Sequence, residues 1–376
     1  MINLSQNSKI KKINIAFESI LNANNSKTKI YNLKSSSHMI IVMKRYAKPE
    51  SVEHMIKYIE SVNLKPAPLY GVERTVIAVI GDERILNKNH LMSFPEVSDV
   101  MSVLAPYKLV ARETKYEDTI ITLPDGTTIG DTKLAIMAGP CAVENQEQLD
   151  KSAEIAKNGG ATILRGGAFK PRTSPYDFQG HGIEGLKMLR KTANQLKMNV
   201  ISEIMTPEYI DDFEKYVDIM QVGARNMQNF DLLKAVGQSK KPVMLKRGLS
   251  ATLKEFMLAA EYIMHEGNPN VILCERGIRT FETAMRNTLD LAAVAWMKRE
   301  SHLPVIVDPS HATGKPELIP PMVLASIAAG ADGIMIEVHC DPEKALCDGQ
   351  QAMTEETFGQ IMTKAAKVAA AVGRTI

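Results

Sequence analysis

Residues 134–141 read LAIMAGPC, an unbroken run of small and apolar residues that ends in Gly-Pro-Cys. A strand without polar alternation must be covered on both faces, as strands of parallel α/β sheets are. The first strand is predicted at Leu134–Ala138, and seven later segments repeat its pattern. They are Thr162–Gly166, Val200–Ile204, Ile219–Val222, Val243–Lys246, Val271–Cys274, Val305–Asp308 and Gly333–Val338.

Segments with helical spacing of apolar residues separate these runs, for example Leu253–Met264 and Phe281–Trp296. Eight strand–helix repeats within residues 132–376 match a (β/α)₈ TIM barrel in number and length. A doubly wound open sheet is the alternative, but no GxGxxG follows the first strand, so a dinucleotide-binding version has little support. The predicted fold class is therefore α/β, with a barrel at residues 132–376.

The region before the barrel, residues 39–111, has shorter and mixed patterns. Strand-like runs lie at 39–43, 75–80, 97–104 and 107–110, and helical spacing lies at 52–62 and around 90–94. This content predicts a small α+β, ferredoxin-like β-α-β-β-α-β domain. Residues 112–131 contain a Pro-Asp-Gly turn and are predicted to form a linker hairpin. Residues 1–38, rich in Asn, Ser and Lys, are predicted to be a solvated basic tail, or to precede a true start at Met39.

Composition excludes several classes of protein. The 376 residues carry 45 Lys and Arg against 43 Asp and Glu, a net charge of only +2, so no nucleic-acid partner is predicted. No apolar run reaches the ~20 residues of a membrane span. The four Cys form no CxxC pair, which favours free thiols in a reducing compartment and a cytoplasmic location.

Charged residues follow almost every predicted strand, and the carboxyl ends of barrel strands meet at one rim. Six of these residues are cations that would repel one another unless an anion were bound. They are Arg165, Lys170, Arg172, Arg225, Lys246 and Arg276. Any one of them alone is as well explained by a surface salt bridge. Six at equivalent positions instead predict a substrate with several phosphate or carboxylate groups.

A second set of rim residues has donors for a metal ion: Cys141, His311, Glu337 and Asp348. The first, seventh and eighth strands are neighbours in a closed barrel, so a thiolate, an imidazole and two carboxylates can surround one divalent cation. Mixed S, N and O donors suit Zn, Mn, Fe, Co or Cu. Cys141 alone is as well explained as a buried core residue, and His339 competes with His311 on strand alternation. Cys274 is predicted to lie in the core.

Seven motifs together resemble one enzyme family. They are GPCAVE (139–144), LRGGAFKPRTSPY (164–176), QVGARNMQNF (221–230), LKRG (245–248), LCERGIRTFE (273–282), DPSHATG (308–314) and EVHCDPEKALCDG (337–349). From about Met39 to the C-terminus the chain resembles 3-deoxy-D-arabino-heptulosonate 7-phosphate (DAHP) synthase, type I, beta subgroup. The resemblance implies a transferase that condenses phosphoenolpyruvate with erythrose 4-phosphate, in the first step of the shikimate pathway to chorismate and aromatic amino acids.

The resemblance also implies roles for single residues. One divalent metal ion per subunit would be held by the quartet named above. Phosphoenolpyruvate would be bound by Arg165, Lys170, Arg225, Lys246 and Arg276, and the phosphate of erythrose 4-phosphate would lie near Arg172, Thr173 and Ser174. Lys170 is a candidate proton donor to the new alkoxide, and Glu203 is a candidate for managing the attacking water.

Two alternative functions are compatible with the barrel. The sister enzyme, 3-deoxy-D-manno-octulosonate 8-phosphate (KDO8P) synthase, typically has Lys-Ala-Asn-Arg where this chain has Lys-Pro-Arg-Thr-Ser (170–174). A non-catalytic regulatory subunit would also keep the barrel. For the N-terminal domain the resemblance implies feedback inhibition by Tyr or Phe in a homotetramer, and it allows a chorismate mutase partner. Cys340 and Cys347 stand where Pro and Ser are more usual, and residues 1–38 have no counterpart.

Overall fold

The computed structural model describes residues 37–71, 73–81, 85–102, 107–172 and 174–376. The tail predicted for residues 1–38 falls outside the described residues up to residue 36, as does the candidate site residue Thr173. The chain divides near residue 105 into two compact units, and each is described by itself. Among the described residues, no helix combines the length and the apolar character needed to span a membrane.

Within its described residues, the N-terminal unit has a four-stranded antiparallel sheet with the order β2-β3-β1-β4 and two helices. Its elements are β1 (Ser37–Met43), α1 (Pro49–Ser61), β2 (Lys65–Tyr70), β3 (Thr75–Ile80), α2 (Lys88–Met92) and β4 (Val97–Ser102). Side chains from sheet and helices, including Ile41, Met55, Ile59, Ile77 and Leu91, are fully buried between them. The predicted ferredoxin-like fold is confirmed.

The strands predicted for residues 39–111 differ from the structure at two places. β2 reads KPAPLY, and its two prolines hide the strand pattern. Because Pro has no N–H, such a strand is favoured at a sheet edge, and among the described strands β2 pairs only with β3. The strand predicted at 107–110 is wrong, since these residues form a bend and a turn. Their backbone N–H groups from Lys108 to Val110 all donate to the carboxylate of Glu261.

The second unit is a closed barrel of eight parallel strands in the order β10-β11-β12-β13-β14-β7-β8-β9, which confirms the predicted TIM barrel. Its strands are β7 (Ala135–Gly139), β8 (Ile163–Arg165), β9 (Asn199–Ile204), β10 (Ile219–Val222), β11 (Val243–Lys246), β12 (Val271–Glu275), β13 (Val305–Val307) and β14 (Gly333–Glu337). Its helices are α3 (Gln146–Asn158), α4 (Ile183–Leu196), α5 (Ile210–Tyr216), α6 (Phe230–Gln238), α7 (Leu253–His265), α8 (Leu291–Glu300), α9 (Pro309–Thr313), α10 (Ile319–Ala328) and α11 (Glu355–Ala371).

The amino-terminal end of the barrel is closed by a short hairpin, β5 (Ile121–Thr122) and β6 (Thr128–Ile129). Side chains of Ile121, Leu123 and Ile129 join the apolar cluster inside the barrel, to which every strand contributes. The segment predicted as a linker hairpin therefore forms the predicted turn and also packs against the barrel interior. The polar side chains that follow the strands lie at the opposite, carboxyl-terminal rim.

The helix predicted at Phe281–Trp296 is wrong in its first half. The helix α8 begins only after Asp290, whose side chain accepts a hydrogen bond from the N–H of Ala293. Residues 276–290 instead form a long rim loop, which turns at Gly277 with φ +84° and leaves Phe281 exposed. This loop places Arg279 and Arg286 at the carboxyl-terminal rim of the barrel.

Behind the rim, a buried ion-pair cluster locks two strands to a helix. Arg247, which follows β11, donates to Glu275 at the end of β12 (2.9 Å) and to Asp290 at the start of α8 (3.1 Å). The side chains of Arg247 and Glu275 are 4% and 0% exposed. This pair holds the neighbouring residues Lys246 and Arg276 in place at the rim.

Replacing Arg247 by Met should lower the free energy of unfolding by about 3–5 kcal/mol, because it leaves the Glu275 carboxylate buried without its cation. Urea denaturation followed by circular dichroism measures this. The control is Arg299→Met, since Arg299 is exposed beside Glu300, and it should stay within about 0.5 kcal/mol of the parent. Equal small losses in both variants would contradict the locking role.

Candidate active site

Four potential metal ligands meet at the carboxyl-terminal rim. Cys141 follows β7, His311 lies in α9 after β13, Glu337 ends β14 and Asp348 lies in the loop after β14. One donor atom from each lies within 4.8 Å of the other three. The Nε2 atom of His311 is 3.1 Å from Glu337 Oε1, and Cys141 Sγ is 3.5 Å from Asp348 Oδ2. Donors about 3.4 Å apart are what a tetrahedral ion with bonds of about 2.1 Å needs, so the residues fit a divalent metal.

Asp308 fixes the orientation of the His311 ring. Its Oδ2 atom accepts from His311 Nδ1 (2.7 Å) and from Lys246 Nζ (2.6 Å), and Oδ1 accepts from the backbone N–H of His311 (3.0 Å). Burial alone would raise the pKa of Asp308, but the charges of His311 and Lys246 hold it well below its ordinary value. The ionised carboxylate keeps the proton on Nδ1, and Nε2 faces the other three donors.

Glu337 is held from both sides. Oε1 accepts from Arg165 Nη1 (2.9 Å), and Oε2 accepts from the side-chain amide of Gln351 (2.7 Å). The carbonyl oxygen of that amide accepts from Arg286 Nη1 (3.0 Å), which also lies 3.4 Å from Asp348 Oδ2. Gln351 was missed by the sequence analysis, and its only signal was its position three residues after Asp348.

The alternative ligand His339 lies outside the donor group. Its Nδ1 atom accepts from the backbone N–H of Asp341 (3.0 Å), and its Nε2 atom lies 3.4 Å from a carboxylate oxygen of Glu144. Because the lone pair of Nδ1 accepts the hydrogen bond from Asp341, the His339 ring cannot also bind an ion in the donor cluster. The geometry therefore favours His311, which strand alternation alone did not.

A cavity of about 300 Å³ opens beside the donor cluster and is strongly cationic. All six rim cations proposed from the sequence line it: Arg165, Lys170, Arg172, Arg225, Lys246 and Arg276. Arg279 and Arg286 of the 276–290 loop also line it. Neither was predicted from the sequence, because the apolar spacing around Arg286 suits a helix and no pattern marks Arg279. Ser174 is not among the lining residues, and its hydroxyl accepts from the N–H of Tyr176.

Lys170 joins the cavity to the donor cluster. Its ammonium group donates to the backbone oxygen of Cys141 and to the sulfur of Cys141, both at 3.0 Å. Burial alone would lower the pKa of Lys170, but the neighbouring Cys141 and Cys347 raise it above its ordinary value. Lys170 is therefore a protonated group with its N–H bonds directed into the site.

Glu203, on β9, lines the same cavity and accepts a hydrogen bond from the side-chain amide of Gln221 (3.2 Å). Its carboxylate lies directly over Gly223, where a Cβ atom would overlap Oε1. A side chain at position 223 would therefore displace the Glu203 carboxylate from its present place in the cavity.

Comparisons with known proteins agree with this geometry. Residues 116–371 match the DAHP synthetase I family, and residues 39–105 match the DAHP synthase ferredoxin-like domain. The chain belongs to the DAHP synthetase I family. It is accordingly an enzyme, a DAHP synthase of the transferase class.

Individual relatives show how far the similarity extends. The chain is 49% identical over 335 residues to phospho-2-dehydro-3-deoxyheptonate aldolase of Thermotoga maritima, covering 89% of this chain and 99% of the relative. A crystal structure of DAHP synthase from that organism superposes with a TM-score of 0.83, at 48% identity, over 90% of this chain and 99% of the other. A 2-dehydro-3-deoxyphosphooctonate aldolase of Desulfatibacillum aliphaticivorans is 32% identical, covering 61% of this chain and 89% of the relative.

Within this DAHP synthase site, Cys347 lies unexpectedly close to the donor cluster. Its sulfur is 3.3 Å from that of Cys141 and accepts from Arg172 Nη1 (2.7 Å). The hydrogen bond between the thiols, with burial, raises the pKa of Cys141 well above its ordinary value, and the same bond lowers the pKa of Cys347 to about 7. Cys274 is fully buried in the barrel wall, as predicted, and the N–H of Cys340 donates to Ser152.

These protonation states predict how metal uptake depends on pH. The raised pKa of Cys141 means that the metal-free protein holds a proton on this sulfur at neutral pH. Burial would lower the pKa of His311, but Asp308 and Glu337 raise it. A metal ion must displace such protons, so its affinity should rise with pH by about tenfold per unit for each proton released.

Chelator competition between about pH 6.5 and 8 measures this slope. Cys274→Ser is the control, because its thiol lies in the barrel interior, and it should keep the parent slope. An affinity that does not change with pH would show that no donor proton is displaced.

Proposed function

We propose that this enzyme condenses phosphoenolpyruvate with D-erythrose 4-phosphate, using one divalent metal ion per subunit, and releases DAHP and phosphate. The observation that carries the proposal is the meeting of a metal-competent donor cluster and a cation-lined cavity, with Lys170 in contact with both. A metal ion in the donor cluster would give a site for an aldehyde oxygen. The cations of the cavity would bind the anionic groups of two phosphorylated substrates.

The state of Arg276 supports an anionic substrate. Its side chain is buried, yet its hydrogen bonds go only to the backbone oxygens of Gly277 (3.5 Å) and His311 (3.3 Å). No carboxylate lies in ion-pair range of it among the described residues. Burial lowers its pKa below the ordinary value, as expected for a guanidinium that lacks its counter-ion. The phosphate or carboxylate of phosphoenolpyruvate would supply that charge, with Arg165 and Lys246 beside it.

The enzyme's side chains then divide the work of the reaction. A bound divalent metal supplies Lewis acidity toward the aldehyde oxygen. C3 of phosphoenolpyruvate attacks the aldehyde carbon, and the new alkoxide takes a proton from the Lys170 ammonium. Water adds at C2 with Glu203 accepting its proton, and phosphate leaves. Arg172, Arg279 and Arg286, which line the same cavity, would bind the phosphate of the sugar.

Replacing Lys170 by Met should cut turnover about 10²–10⁴-fold and weaken phosphoenolpyruvate binding much less, because an acid acts in the transition state. Steady-state rates and equilibrium binding of phosphoenolpyruvate measure the two effects. Lys151→Met is the control, since Lys151 is exposed and pairs with Glu147. Equal losses in turnover and binding would reject the acid role and leave Lys170 as a binding residue.

The choice of aldehyde needs its own test, because KDO8P-type aldolases are also relatives. Phosphate release from phosphoenolpyruvate should occur with erythrose 4-phosphate, not with arabinose 5-phosphate, and should stop on metal removal and return on metal addition. Turnover with the five-carbon sugar alone would move the enzyme to the KDO8P class. No turnover with either sugar would favour a non-catalytic regulatory subunit.

Regulation is the second part of the proposal, and it is supported by the match of residues 39–105 to the DAHP synthase ferredoxin-like domain. We infer that this domain binds Tyr or Phe and lowers activity through coupling of two distinct sites. Adding each amino acid to the full-length enzyme should reduce the rate with one of them only. A homotetramer and a chorismate mutase partner remain predictions, which sedimentation of the enzyme alone and with the mutase would check.

A further inference from the structure

The loop that carries Asp348 has a shape that its own sequence does not favour. Asp348 has φ +54°, a left-handed conformation that costs a non-glycine residue free energy. The loop after β14 runs from Val338 to Met353 and contains only two single-turn 3₁₀ segments. Its conformation must therefore be imposed by contacts with the rest of the barrel.

Glu144 makes one such contact, and neither the metal site nor the catalytic steps use it. Its side chain is 7% exposed, and its Oε1 atom accepts from the backbone N–H of Leu346 (2.8 Å), two residues before Asp348. The same oxygen lies 3.4 Å from Nε2 of His339, at the other end of the loop. Since Nδ1 of His339 accepts from the N–H of Asp341, its proton lies on Nε2, which makes no hydrogen bond to Glu144 or to any other described residue.

Glu144 is itself fixed relative to Cys141, three residues earlier. Gly167 pairs with this segment through two backbone hydrogen bonds, Val143 N–H to Gly167 O and Gly167 N–H to Cys141 O, both 3.0 Å. The segment from Cys141 to Glu144 thus has a candidate metal ligand at its start. At its end it has the residue that contacts the loop of Asp348.

We propose that Glu144 is a positioning residue that holds Asp348 at the distance from Cys141 that one metal ion needs. It acts by accepting the hydrogen bond from the N–H of Leu346. Metal binding should therefore depend on the length of its side chain and not on its charge. This inference rests on the proposed metal site and adds a residue that acts through Asp348.

The test uses the metal-free full-length enzyme with Co²⁺ as the probe. Glu144→Ala should weaken Co²⁺ binding about 10–100-fold, as loss of an outer-shell partner does. Its visible spectrum should keep the thiolate-to-cobalt band of Cys141 and otherwise match that of Asp348→Ala. Glu144→Gln should bind as the parent does, because an amide oxygen still accepts from Leu346. Glu144→Asp keeps the charge but is one carbon shorter, so it should resemble Glu144→Ala.

Glu147→Ala is the matched control, since Glu147 is exposed near the same segment and, in the part of the chain that the structure describes, pairs only with Lys151. It should change neither affinity nor spectrum. Parent-like binding by Glu144→Ala would overturn the proposal. Weak binding by Glu144→Gln with tight binding by Glu144→Asp would also overturn it, because charge toward His339 would then be decisive. These two variants carry the test even if the alanine variant does not fold.

Failure of the metal site itself looks different. In that case the parent enzyme would show no thiolate-to-cobalt band, or Cys141→Ser would leave its spectrum unchanged. Failure of the Glu144 inference alone leaves the parent's band and affinity intact.

Discussion

One buried carboxylate, that of Asp308, joins the two halves of the active site. It binds the ring of His311 on one side and the ammonium group of Lys246 on the other, at 2.7 and 2.6 Å. The proposed metal ligand His311 and the proposed substrate-binding residue Lys246 therefore share a counter-ion. Because the three groups are buried, removing one leaves the charges of the others uncompensated. Asp308 thus fixes the spacing between the candidate metal-donor cluster and the cation-lined cavity.

The parts of the fold and of the candidate site that lie on strands could be predicted from the sequence, whereas those on loops mostly could not. Eight apolar runs predict the barrel, because strands covered on both faces leave a strong local pattern. The grouping of Cys141, His311 and Glu337 follows from the adjacency of three strand ends in a closed barrel. KDO8P-type aldolases are also similar to this chain, so the preference for erythrose 4-phosphate stays a prediction that rests on the loop sequence Lys-Pro-Arg-Thr-Ser (170–174).

The residues that escaped prediction lie where no local pattern records the contact. Arg286 looked helical because the spacing around it suits a helix, and its loop is fixed instead by Gly277 and by the cap at Asp290. Gln351 is hydrogen-bonded to Glu337 and Arg286, and Glu144 to Leu346, and sequence spacing cannot show such contacts between separate chain segments. β2 was missed because proline masks strand propensity, although proline is tolerated at an edge.

That edge strand has a consequence for how copies of this protein meet in a crowded solution. Pro66 and Pro68 have no N–H, so the ladder with β3 uses the N–H groups of the alternate residues, and the prolines occupy the positions that face outward. An exposed strand from another chain would find carbonyl acceptors there, but hardly any donors. This side of the sheet is thereby protected from intermolecular strand addition, the usual first step of β-aggregation, without the need for a covering helix.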